Sequence, residues 1–135
     1  MKRIIFLCLL GLAIFAASLS THADVPSKVE VLYMNHGPLR ATINQMKTVF
    51  SSYGGKVSVS WYDVDTQEGE QFMVKKGIRQ HIPLVIWIDG TPKVTVGLKQ
   101  ITFAGFPTGS GPAFFQGKWT LEDLRAALNQ ATGKK

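Results

Sequence analysis

Among its 135 residues the chain has a single cysteine, Cys8. That cysteine lies within the apolar run of residues 4–17, between Phe6-Leu7 and Leu9-Leu10. A lipoprotein signal would carry it at the end of the run, after a small residue. Residues 1–23 read as a signal peptide. Lys2 and Arg3 make a positive start, the apolar run follows, and Thr21 and Ala23 give the small-x-small pattern before a cut between Ala23 and Asp24. The run is shorter than the roughly 20 apolar residues of a spanning helix, so no stable membrane span is expected after cleavage. The expected product, residues 24–135, holds 112 of the 135 residues and no cysteine. Thiol–disulfide exchange requires a thiolate. Oxidase, reductase, isomerase and thiol-peroxidase activities are therefore excluded for the processed chain, as is a disulfide within it. The expected destination is outside the cytoplasm: the periplasm in a Gram-negative bacterium, otherwise the medium.

Concentrated charge is also lacking. With Lys2 and Arg3 removed, 13 of the 15 basic residues face all 9 acidic ones, a net charge of +4. The cations are scattered along the chain and are not interleaved with aromatics in a stripe, the pattern that marks nucleic-acid binders. No internal repeat or low-complexity block is present. The processed length suits one domain with a real core.

What is present is a regular alternation of elements. Residues 28–34 (Lys-Val-Glu-Val-Leu-Tyr-Met) read as a strand buried in mid-sheet. Asn35-His36-Gly37-Pro38 breaks it, and proline suits the first turn of a helix. Leu39, Ile43, Met46, Phe50 and Tyr53 then form one apolar stripe, which Gly54 and Gly55 end. Val57, Val59 and Trp61 alternate with Lys56, Ser58 and Ser60 as a second strand. A polar turn over 63–68 and a short helix over 70–76 follow. Residues 84–88 (Leu-Val-Ile-Trp-Ile) are the most strand-like run in the chain. Asp89-Gly90 is a hairpin signal, with residues 93–96 returning as a strand. A further short strand is expected at 101–103 and loop at 105–117. Thr120, with Asp123 three residues on, caps a last helix whose apolar face is Leu121, Leu124, Ala127 and Leu128. The order implies an α/β sheet with helices on both faces.

Three features in this order resemble the thioredoxin superfamily over about residues 28–131. They are a buried strand running through His36-Gly37-Pro38-Leu39 into a helix, the Ile82-Pro83 pair before the best strand, and an Asp-Gly hairpin ahead of a terminal helix. The resemblance implies a thioredoxin-like three-layer α/β/α sandwich with a mixed central sheet and, here, an enlarged loop segment (residues 97–118) before the last helix. It also implies that His36 and Leu39 replace the two cysteines of the family's Cys-Gly-Pro-Cys turn. Glu30 would then match a buried acid, and Pro83 a cis-proline beside the site.

Three readings of function follow. The family's peptide groove is built from the turn and the proline loop, so His36, Gly37, Pro38, Ile82 and Pro83 are the candidates for holding a peptide without redox chemistry. The expected partner is an envelope protein or peptide. His36 and His81, two imidazoles on neighbouring loops of that fold, are candidates for a divalent metal or small ligand, though a closed zinc site takes four ligands. A third reading is a degenerate relative of the oxidoreductases with no activity of its own. No Ser-His-acid order supports hydrolysis, so no catalytic residue is assigned and no cofactor is expected. Finally, residues 107–112 (Pro-Thr-Gly-Ser-Gly-Pro) lack the lysine of a phosphate loop. They read as a surface loop flanked by Phe103, Phe106, Phe114, Phe115 and Trp119, aromatics that either pack it onto the core or form a patch for a partner.

Overall fold

The computed structural model describes residues 25–134, so the expected signal peptide lies outside the described residues. Strand β1 (Ser27–Tyr33) is central in a mixed sheet of order β2-β1-β3, parallel to β2 (Val57–Asp63) and antiparallel to β3 (Leu84–Ile88). β1 reads apolar on both sides of its pleat because both faces of the sheet are covered. Val29 and Val31 join one core with Leu84, Ile86 and Ile88 of β3, while Leu32 joins a second with Val85 and Trp87.

Helices α1 (Arg40–Ser51) and α3 (Leu121–Thr132) cover the first face, and α2 (Gln67–Lys75) covers the second. The predicted stripe of α1 is buried from Leu39 through Ile43, Met46 and Phe50 to Tyr53, whose hydroxyl donates to the Arg125 carbonyl and to Asn129 Oδ1 of α3. α3 opens with the expected capping box between Thr120 and Asp123, which satisfies backbone groups that have no partner within the helix. Among the described residues no helix is long and apolar enough to cross a membrane.

Three expectations are corrected. The second helix begins at Gln67 and not at residue 70, because the Thr66 side chain accepts from the Gly69 amide and caps it there. The first turn of the long helix is a 3-10 turn, Gly37–Leu39, with the α-helix starting at Arg40. The Asp89-Gly90 turn forms, both residues having positive φ, but residues 93–96 do not return along β3. Strand β4 (Lys93–Val96) pairs instead with β5 (Lys99–Thr102). The chain after β5 takes the place beside β3: the Ile86 amide donates to the Phe103 carbonyl and the Gly105 amide to the Leu84 carbonyl. Phe103 and Phe106 are wholly buried, and their burial draws this segment onto the sheet.

Candidate functional site

The site is built where β1 ends. The Met34 amide donates to the Pro83 carbonyl (3.0 Å), tying the turn to the segment before β3. His36 is in extended conformation as the N-cap of the 3-10 turn, and its carbonyl accepts from the Leu39 amide. The imidazole is exposed, with Nε2 3.5 Å from Asp65 Oδ2 on the turn after β2. Leu39 is buried and belongs to the core of the first face.

Residues 105–117 lie over this turn. Met34, His36 and Leu39 on one side and Pro112 and Phe115 on the other line an apolar recess of about 280 Å³. The loop approaches so closely that a side-chain Cβ at Gly111 would stand 2.9 Å from Leu39 Cδ2. Its shape is held from within by Gln116, whose Oε1 accepts from the Gly109 amide and whose Nε2 donates to the Gly111 carbonyl. At its base the Trp119 indole donates to the Gly105 carbonyl, the Phe106 amide donates to the Phe115 carbonyl, and the Gly117 amide donates to the Phe106 carbonyl. Of the five flanking aromatics, Phe103, Phe106 and Trp119 belong to the core. Phe115 lines the recess, and Phe114 is 80% exposed beside it. Gln116→Ala is expected to speed hydrogen exchange at the Gly109 amide with little change in global stability, since each bond contributes only about 0.5–1.5 kcal/mol.

The other sequence candidates are placed as follows. Gly37 sits in the turn, exposed, and Pro38 follows it. Ile82 is half-buried against the second core, on the α2 side, and neither Ile82 nor Pro83 lines the recess. The Ile82–Pro83 bond is trans, not the cis form the resemblance implied; trans is the ordinary state, the cis form occurring at only about 5–6% of such bonds. His81 is exposed, and no hydrogen bond or ion pair joins it to His36. Among the described residues no three His, Cys, Asp or Glu side chains cluster as metal ligands would.

Glu30 is 3% exposed and faces the α2 side. Its carboxylate is bound by Lys76 Nζ at 2.6 Å and Lys28 Nζ at 2.9 Å. Burial alone would push the carboxyl up, but the hydrogen bonds and charges of Lys76 and Lys28 outweigh it and hold the group below the ordinary carboxylate range. Lys76 also lies over the rings of Phe72 and Trp87. Sequence reading found Glu30 but not its partner. Lys76 follows the last helical residue of α2, and nothing in its spacing marks it as a lysine turned inward. Asp65 and Pro112 were likewise not read as parts of a site, and Phe115 was read only as one of five aromatics that either pack the loop or form a partner patch, because the path of the long loop is not encoded in any local periodicity.

No family model matches the sequence, and no curated protein is significantly similar to it.

Proposed function

We propose that the chain is an exported, thioredoxin-like domain that has no redox chemistry and binds a peptide or protein segment of the cell envelope at the turn. The observation that carries this reading is the recess between His36 and Leu39 on one wall and Pro112 and Phe115 on the other. Its volume, about 280 Å³, is at or below the small end of the roughly 300–1,000 Å³ typical of small-molecule sites. It suits one apolar side chain of a partner better than a cofactor. The exposed Phe114 extends the apolar surface, and His36 with Asp65 supplies a polar rim. An apolar anchor inside a polar rim is the ordinary anatomy of a recognition surface. The thioredoxin-like assignment is supported by the order of elements, the parallel β1–β2 pair with antiparallel β3, the turn that opens α1, and the buried acid at position 30.

A photo-crosslinking residue at His36 in the exported protein, in its native host, is expected to capture one dominant envelope partner. The same probe at Ala131, hydrogen-bonded to Ser27 at the opposite end of β1, is expected not to capture it. Equal capture from both positions, or none from His36, would remove the recess from the account.

A further inference from the structure

β2 is the outer strand of its sheet. Among the described residues nothing pairs along its second edge. The Val64 amide donates to the Tyr33 carbonyl, which fixes the parity of the strand. Backbone groups of even-numbered residues face β1, and those of Val57, Val59, Trp61 and Asp63 face outward. Natural edge strands are defended by lysines, prolines or bulges. The separate hairpin follows that rule, with Lys93 at the head of β4 and Lys99 at the head of β5. β2 does not: its sequence, Val-Ser-Val-Ser-Trp-Tyr-Asp, has no lysine, arginine or proline.

We propose that this edge is an interface with a second copy of the chain, the two β2 strands pairing antiparallel about a two-fold axis at Ser60. Full overlap of the strand selects that register. Val59 then stands opposite Trp61 of the second copy, and the two exchange both backbone hydrogen bonds; Val57 stands opposite Asp63 of the second copy.

Two observations favour a second copy over an unrelated strand. The first is charge. The strand is basic where it begins, with Lys56 before it, and acidic where it ends, with Asp63 and then Asp65, while Lys47 of α1 lies over Trp61 between the two ends. An antiparallel two-fold brings each basic end to an acidic end, whereas parallel stacking would set like against like. The second is apolar. Val57, Val59 and Trp61 are only half-buried, and an open recess of about 310 Å³ lies beside them, walled by Phe50 and Lys47. Trp61 of the second copy arrives at that recess, as an aromatic paired across the strands with a β-branched residue, a stabilising combination. This inference concerns the edge of the sheet and does not depend on the recess at His36.

The test is register-specific. In a Cys8→Ser chain, Ser60→Cys provides the one thiol. The register makes Ser60 and its mate a non-hydrogen-bonded pair, with Cα atoms about 4.5 Å apart, inside the range a disulfide accepts. Ser60→Cys is expected to oxidise to a covalent dimer. Ser58→Cys is not, because its mate would lie roughly 14 Å away along the strand. Sedimentation of the unmodified protein is expected to show a dimer that dissociates on dilution. Val59→Pro, which removes an outward amide that bonds nothing among the described residues, is expected to leave a folded monomer. A protein that stays monomeric to roughly 1 mM would overturn the proposal, whatever else covers the edge. So would Ser58→Cys cross-linking as readily as Ser60→Cys. Should Val59→Pro fail to fold, the paired cysteine variants decide the matter alone.

Discussion

Lys76→Ala is expected to destabilise the protein by about 3 kcal/mol or more, one of the largest losses from any change outside the apolar core. The side chain is 17% exposed, and its ammonium is 2.6 Å from a carboxylate that is 3% exposed. Removing it leaves Glu30 buried with only Lys28, which is itself largely in water, as a cation. A buried charge that has lost its principal partner typically costs about 3–5 kcal/mol, and the remaining lysine places this case near the lower figure. The reverse follows from the same physics. Glu30→Leu combined with Lys76→Met replaces the pair by apolar groups among Phe72, Val85 and Trp87, and is expected to recover most of the loss. Chemical denaturation of the three proteins checks both statements. The pair also sets a pH dependence. Because the folded-state carboxyl of Glu30 is held below its unfolded value, the unfolded chain binds the proton more readily. The stabilisation is therefore complete above the unfolded value, near 4.5, and is lost as pH falls through the lower folded value. Glu30→Gln is expected to flatten that acid limb while lowering stability at neutral pH.

How far this arrangement could be read from the sequence depends on the range of the interaction that produces each part. The elements that rest on local signals are where periodicity and capping put them: the stripe from Leu39 to Tyr53, the buried run of residues 84–88, the box at Thr120 and Asp123. Thr66 is a simpler side-chain N-cap, accepting from the Gly69 amide without a returning bond. It was obscured because the residues around it, from Asp63 to Glu68, are polar enough to read as a turn. The pairing of β4 was not legible at all. Asp89-Gly90 states that the chain turns, and it does, but the strand that returns along β3 is chosen by the burial of Phe103 and Phe106, ten or more residues on. For the same reason the turn at His36 was found as one wall of a site, while Phe115 of the other wall was read only as one of five loop aromatics and Pro112 only as part of a surface loop. Pro112 and Phe115 reach it only because the loop between them and β5 is folded back by contacts of long range.

Those contacts converge on Trp119, and Trp119→Ala is expected to cost about 3–5 kcal/mol, the usual range for truncating a buried aromatic. The ring is 1% exposed and meets Phe103 edge-on, with centroids 5.2 Å apart. Its indole N–H reaches the Gly105 carbonyl, and its own carbonyl accepts from the Thr108 amide. It therefore clamps both feet of the segment that carries Pro112 and Phe115. Trp119→Phe separates the two contributions. It keeps most of the apolar contact but leaves the Gly105 carbonyl without its donor, and is expected to cost about 1–3 kcal/mol. Space at this point is fully used. A Cβ on Gly117 would collide with the Ala104 carbonyl and stand 2.9 Å from Trp119 Cδ1. If the recess is the binding site, Trp119→Phe should weaken capture from position 36 even where circular dichroism and denaturation show the fold intact, because the far wall is then held less firmly. Unchanged capture by a folded Trp119→Phe protein would mean that the partner is recognised by the turn alone.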